Sequence, residues 1–327
     1  MKENKQLRWA VLGAGVIANE MAQALQTMGR TLDAAGNRTH EKAADFAKRY
    51  GVKKVYADYR EMFTDPDVDA IYLTTPHNTH MAYLEQALSH GKHVLCEKSI
   101  TLNSEELARA IKLAEENKVV LAEAMTIYHM PLYRLLRERL ASGALGRVNL
   151  IQLNFGSFKD YDMSSRFFNR SLAGGALLDI GVYALSLARL FLDSCPDQVS
   201  SFVRKAPTGV DESAVISMVN REGQLASAAL SLHSKQPKRA VVSCEKGYIE
   251  IMEYPRADQA LIVDAATGTQ ETVRAGRRAH ALVYELEDME AAVRGEGDML
   301  LSCTADVMAL MTRLRRDWGV SYPEEEL

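Results

Sequence analysis

Up to about residue 125 the chain alternates short β-like apolar runs with amphipathic helical stretches, a pattern that makes the strands run parallel with helices crossing between them. The runs are RWAVLG, TLDAAG, KVYA, AIYLTT, HVLCE and VVLAEAM, and between them ANEMAQALQTM, EKAADFAKRY, HMAYLEQALSH and SEELARAIKLAEEN carry apolar residues at helical spacing. TLDAAG is the weakest of the strands and is placed by its neighbours; Asp33 within it reads as a strand-start residue. Ser104, with Glu105 or Glu106, supplies helix-start chemistry.

The texture changes after a helix around PLYRLLRERLASG. VNLIQLNFGSF, VSSFVRKA, SAVISMVN, QLASAALSLHS, RAVVSCE, YIEIMEY and QALIVDA follow one another with turns such as NREG and EKG, and strands joined this way pair antiparallel. Helices interrupt this half only from about Ala176 to Phe191 and, as a pair, from about His280 onward. With 327 residues and 47% hydrophobic composition the chain suits two domains, divided here as 1–125 and 126–327.

Composition narrows the class of function. The formal charge of -4 is spread along the chain, the terminal EEEL is its only acidic tail, and no basic stripe suits a nucleic acid. Cys96, Cys195, Cys244 and Cys303 form no CxxC pair, which argues against a zinc cluster and suits a reducing cytoplasm. Lys2, Lys5 and Arg8 before WAVLGAGVIA have the outline of a secretory signal, but the glycine spacing inside that run has a better explanation. The longest apolar stretch, AGGALLDIGVYALSLARLFL, contains Asp179 and Arg189 and is not expected to span a bilayer.

The glycines point to a dinucleotide. In GAGVIA, Gly13 permits a tight turn, Gly15 lets the backbone approach a pyrophosphate, Val16 and Ile17 open the helix whose N–H groups face the phosphates, and Ala18 allows close packing. At the end of the second strand Asn37 and Arg38 stand where an acid would accept from the ribose, and a guanidinium there suits a 2′-phosphate; the plain alternative is a surface charge. TTPHNTH puts Thr75, Pro76, His77 and His80 at the sheet edge where ligands of such folds collect. Two imidazoles without a third ligand do not make a metal site, and His80 is expected to cap or line the cofactor crevice. Asp179 and Tyr183 lie four apart on one helical face, a pattern that by itself also describes a helix-dipole acid and a core tyrosine.

Taken in order, GAGVIA, Asn37–Arg38, TTPHNTH, Cys96-Glu97-Lys98-Ser99 and GGALLDIGVY resemble the Gfo/Idh/MocA oxidoreductase family along essentially the whole chain, and most closely the branch with dimeric dihydrodiol dehydrogenase and NADP-dependent sugar dehydrogenases. The resemblance implies an α/β protein with an N-terminal Rossmann domain and a C-terminal α+β domain whose mostly antiparallel open sheet serves as a dimer interface. It implies Lys98 and Tyr183 as catalytic residues, with Asp179 orienting them, and Glu97 beside the cofactor. Two departures stand out. Ser99 replaces the family proline, often cis, so the turn that proline holds is expected to be lost, and Thr126 and Tyr128 stand where the branch has an aromatic residue and an arginine.

The expectation is a cytoplasmic homo-oligomer that prefers NADP, with NAD possible, and interconverts a secondary alcohol and ketone of a sugar, cyclic polyol or dihydrodiol, with no metal and neither nucleic acid nor membrane as partner. The competing reading is a sensor that keeps the fold and nucleotide site without useful catalysis.

Overall fold

The computed structural model describes residues 6–325, so Lys2 and Lys5 of the basic N-terminal stretch, and Glu326 and Leu327 of the acidic tail, lie outside the described residues. The chain divides into two compact units. One takes the chain up to Ala124 together with Leu282–Leu301, the other Met125–Ala281 and the chain from Ser302.

In the first unit, β1 (Trp9–Leu12), α1 (Val16–Thr27), β2 (Ala34–Gly36), α2 (His40–Tyr50), β3 (Lys54–Val55), α3 (Glu61–Thr64), β4 (Ala70–Leu73), α4 (His80–Ser89), β5 (His93–Glu97), α5 (Ser104–Asn117) and β6 (Leu121–Ala124) follow in turn. The six strands are parallel in the order β3-β2-β1-β4-β5-β6, with Val11 beside Ala35 and Tyr72. Order reverses at β1, where the first strand's neighbours β2 and β4 lead away to opposite edges, and α/β folds bind ligands at such a switch point. β1 and β4 are buried along their whole length, in keeping with apolar sequences without alternation; β6 is buried too but carries Glu123, which accepts from Ile100 N–H at 3.1 Å.

Two local readings shift. The strand expected over TLDAAG shrinks to Ala34–Gly36, and Asp33, just ahead of it, accepts from Trp9 N–H at 3.1 Å and pairs with Lys53 at 2.6 Å. The start of α5 is capped one residue earlier than Ser104: the Asn103 side chain accepts from Glu106 N–H at 2.8 Å, and Glu106 accepts from Leu102 N–H at 3.0 Å, a reciprocal pair of caps.

In the second unit come α6 (Thr126–His129), α7 (Pro131–Ala141), β7 (Val148–Gly156), a π turn over Leu177–Gly181 running into α8 (Val182–Phe191), then β8 (Gln198–Lys205), β9 (Asp211–Val219), β10 (Leu225–Ser231), β11 (Gln236–Cys244), β12 (Gly247–Met252), β13 (Gln259–Asp264) and β14 (Gln270–Arg274). The eight strands lie in the order β14-β13-β12-β11-β7-β10-β9-β8, antiparallel except for β7 beside β10. Sequence pattern missed β14, because QETVR is polar and exposed but for Val273. The apolar stretch within Arg170–Phe191 is a core element, buried almost throughout from Ala173 on.

The final helices are α9 (Ala281–Val293) and α10 (Leu301–Trp318). A division at 125/126 assigns both to the second domain, but Leu282–Leu301 groups with the first unit. The physical tie is Glu290, which accepts from the Trp9 indole at 3.0 Å and pairs with Arg30 at 2.6 Å, with both side chains of that pair nearly buried. A single carboxylate late in the sequence thus serves the first strand and the end of the first helical crossover.

Candidate active site

The carboxyl edge of the parallel sheet gathers the expected nucleotide residues. Gly13 has φ +119, a conformation that glycine adopts readily, and a Cβ there would meet Thr74 Oγ1 at 2.3 Å. Gly15 is different: its φ is -83 and a Cβ would find nothing within 4 Å, so nothing inside the protein requires a glycine. Val16 is 80% exposed at the first position of α1, whereas Ala18 is fully buried against the sheet. A smooth backbone turn with open space before a helix N-terminus fits the pyrophosphate of a dinucleotide.

Beyond β2, Asn37 is half-buried and its side chain donates to Thr39 O at 2.9 Å. Arg38 is exposed and forms no ion pair among the described residues; the charged group lies near the Tyr83 phenol, which stacks edge-on against Tyr59. Tyr59 also packs on Gly36. This aromatic flank of the nucleotide edge was not legible, because Tyr59 and Tyr83 belong to separate crossovers.

After β4, Thr75 is half-buried and Pro76 exposed. Thr74, which was not singled out, donates its hydroxyl to Leu12 O at 3.1 Å and so braces the glycine turn. His80 does not line an open crevice. It is completely buried, with Nε2 2.8 Å from Thr75 O and Nδ1 3.0 Å from Ser99 O and 3.2 Å from Ile100 O, and burial lowers its pKa against the pull of those carbonyls. His77 Nε2 lies 2.8 Å from Lys98 O. The HNTH pair is therefore a backbone clamp on the turn after β5, which explains its spacing without a metal.

That turn carries Glu97 and Lys98, both half-buried. Glu97 accepts the Tyr72 hydroxyl through Oε1 and the Lys98 N–H at 3.3 Å through Oε2. The turn that replacing the family's proline was expected to lose is present, with His77 and His80 against its carbonyls, and its Lys98–Ser99 peptide bond is cis. Ser99 itself is fully buried.

In the second unit, every residue from Ala173 to Ala188 is buried except Asp179 and Tyr183. The acid and the phenol are both half-buried, so neither is closed into the core. The Tyr183 ring lies 6.1 Å from Phe155, which packs edge-on against Tyr254. Tyr254 is pushed up in pKa by burial and by the nearby Tyr183 phenol. Asp179 Oδ1 lies 3.6 Å from the Arg166 guanidinium, which also sits 4.3 Å over the Phe167 ring. No motif announced Arg166, since an arginine in a loop is usually solvated. Thr126 and Tyr128 are buried in α6, the threonine hydroxyl donating to Pro255 O at 2.6 Å, so that stretch contributes packing at these positions.

Residues 7–125 match the model of the oxidoreductase family with an NAD-binding Rossmann fold, and residues 133–250 match the GFO/IDH/MocA C-terminal domain. A trans-1,2-dihydrobenzene-1,2-diol dehydrogenase from Macaca fuscata fuscata is 31% identical, with 98% of this chain and 99% of that protein aligned. The chain belongs to the Gfo/Idh/MocA oxidoreductase family. The enzyme of that name from Bos taurus is 30% identical over the same shares of the two proteins. Among solved structures, levoglucosan dehydrogenase in complex with NADH superposes with a TM-score of 0.87 at 18% identity, covering 97% of this chain and 100% of that one. A 3-ketoreductase from Actinomadura kijaniata, in complex with NADP and TDP-benzene, gives 0.84 at 23% identity, covering 95% and 98%. This family member is an NAD(P)-dependent oxidoreductase, and its glycine turn fits that cofactor.

The two glycines make a separable test. Gly15→Ala introduces a methyl group into open space at an ordinary φ, so the melting temperature should stay within about 2 °C while NADPH affinity falls roughly 10-fold or more, because the methyl occupies the phosphates' side of the turn. Isothermal titration beside thermal unfolding checks it; undiminished affinity would move the nucleotide off this turn.

Proposed function

We propose that the protein is an NADP-preferring oxidoreductase that interconverts a secondary alcohol and a ketone on a cyclic polyol, sugar or trans-dihydrodiol, with Tyr183 moving the proton and Lys98 and Asp179 supporting it. The observation that carries this reading is that Asp179 and Tyr183 alone stay partly accessible in the buried stretch from Ala173 to Ala188. The dihydrodiol dehydrogenases among its relatives and the sugar-directed enzymes among its structural neighbours support the substrate class.

The bound nicotinamide supplies or accepts the hydride. What the chain must supply is a proton path and a charge balance. A free phenol titrates near ~10 and a free lysine near ~10.4, so neither is an efficient base at neutral pH alone. In general an ammonium near a phenol favours the phenolate, whereas a lysine that acts as the base must lose its charge, which a nearby carboxylate opposes. Tyr183 therefore takes the substrate proton at its Oη, Lys98 stays charged, and Asp179 orients them. The largely exposed Arg166 guanidinium, 3.6 Å from Asp179, offsets part of the carboxylate's charge. Glu97, anchored by Tyr72, fixes the backbone from which Lys98 extends.

Preference for NADP rests on Arg38, exposed and without an ion pair among the described residues at the end of β2. Pairing of two copies through the open sheet completes the reading: Phe202 and Val215 stand opposite each other on β8 and β9 and are 80% and 53% exposed. Cys96, Cys195, Cys244 and Cys303 are free thiols, in keeping with a cytoplasmic location, which cell fractionation tests. Sedimentation at micromolar concentration should give a dimer or larger; a monomer would exclude the pairing.

Cofactor choice is read by comparing NADPH and NADH affinity. The unmodified protein should favour NADPH, and Arg38→Ala should narrow the gap by roughly 1 to 3 kcal/mol as a charge-assisted contact is lost. Equal affinities before mutation would reject the preference.

The chemical role is read by single-turnover hydride transfer with a polyol or diol found by screening. Tyr183→Phe keeps the ring and should slow transfer roughly 10² to 10⁴-fold with NADPH binding intact. Lys98→Met should also abolish turnover without loss of cofactor affinity. A Phe variant as fast as the unmodified protein would make Tyr183 a packing residue, and NADPH binding with no turnover across the panel would favour a sensor.

A further inference from the structure

The helix that carries Asp179 and Tyr183 begins at a double glycine, and that turn is gripped from two sides by buried side chains. Asp211, at the start of β9 and fully buried, accepts from Leu177 N–H at 2.6 Å through Oδ2. Its other oxygen lies where a side chain on Gly175 would project, 2.3 Å from an added Cβ, and Gly175 has φ +128. From α10 and the segment beyond it, Tyr322 donates its hydroxyl to Gly174 O at 2.8 Å. Arg315 lies 4.7 Å over the Tyr322 ring and forks onto Glu325 at 2.8 and 2.6 Å. Asp179 N–H, in the π turn, then donates to Gly175 O just ahead of it at 3.3 Å.

A helix can slide or rotate only if its first turn is free to move. Here the amide end is fixed by a carboxylate, and the wider π turn that follows sets the angle at which Asp179 and Tyr183 leave the axis. We propose that Asp211 is a positioning residue for the reaction, its carboxylate fixing the Gly174–Leu177 turn and through it the places of the Asp179 carboxylate and the Tyr183 hydroxyl. The proposal rests on the role given to Tyr183 above.

The cost of keeping a charge there argues for such a role. Burial pushes the Asp211 carboxyl up to about 7, against the backbone N–H groups of Leu177, Ala176 and Asp211 itself and the Arg315 charge, which favour its ionised form. The charged and titratable groups that face it are Arg315, whose pKa lies above its usual value, and Tyr322, raised by burial, so neither titrates near neutrality. As the pH falls through about 7, Asp211 takes up a proton and its acceptor strength toward Leu177 drops. Aspartate in the unfolded chain titrates near ~3.9, so the native state takes up that proton first and this group's contribution to stability rises between about 7 and ~4 as the pH falls. A loss of kcat in that window is therefore not unfolding at this site.

The experiment is Asp211→Asn, which keeps the size of the side chain and one accepting oxygen. The variant should fold and bind NADPH within about 2-fold of the unmodified protein, while kcat falls on the order of 10 to 10²-fold, as expected for a misplacement near 1 Å. The acid limb of kcat near pH 7 in the unmodified protein should vanish in the variant. Unchanged kcat, or kcat and NADPH affinity lost together with the melting temperature, would overturn the proposal. A crystal structure of the variant at pH 8 decides the matter without a substrate: a Tyr183 hydroxyl moved by about 1 Å supports the positioning role, and an unmoved one rejects it. If Asp211→Asn moves Tyr183 but Tyr183→Phe leaves turnover intact, the assignment of Tyr183 fails while the mechanical link stands.

Discussion

His80 is the constraint on which the first unit's site depends. Its buried ring ties Thr75 O, at the end of β4, to Ser99 O and Ile100 O, just past the end of β5. A neutral imidazole donates from one nitrogen only, so it bonds either Thr75 O or the Ser99 and Ile100 carbonyls; donating to both sides takes the protonated ring, which burial opposes and these carbonyls favour. His77 adds a second hold on the same turn through Lys98 O. Strand ends are ordinarily where a chain gains freedom, yet here two adjacent strand ends are locked together, and the lysine between them inherits that rigidity.

The same logic explains which parts of the molecule could be read from the sequence. Local signals survived: the alternation of apolar runs and amphipathic helices, the glycine turn at Gly13 and Gly15, and the short turns between strands of the second sheet are each decided within a few residues. The stretch from Ala173 to Ala188 shows where pattern runs out. Asp179 and Tyr183 at a spacing of four describe a core tyrosine as well as an exposed one, and only the burial of every neighbour tells them apart. His80 was misjudged for a related reason. A histidine at a ligand-binding edge suggests contact with ligand, but the partners that bury it, Ser99 and Ile100, lie about twenty residues on in the chain.

Long-range ties were invisible altogether. Glu290 reads as one more helix-surface acid until it is seen to accept from Trp9 and pair with Arg30, and this is why a late segment joins the first unit. Arg166 carries no sequence signal, because its meaning lies in the distance to Asp179. The Asn103 cap shows a smaller error of the same kind. Asn, Ser, Glu and Glu in succession all favour a helix start, and side-chain geometry, not composition, selects Asn103.

The second unit solves a problem opposite to the first. Its helix leaves a phenol and a carboxylate partly accessible while burying nearly everything else around them. Gly181 sits between the two functional residues in sequence, and a Cβ there would meet Leu230 Cδ1 of β10 at 2.9 Å and Leu177 Cδ1 at 3.0 Å. The glycine lets the π turn approach the sheet at the point where Asp179 and Tyr183 leave it on the other side. Close approach at Gly181, the grip on Gly174 and Gly175 at the amide end, and the apolar residues of α8 beyond leave the helix little freedom to rotate. The role proposed for Tyr183 would benefit from that arrangement, since proton transfer depends on the direction of a single hydroxyl and a fixed backbone sets that direction.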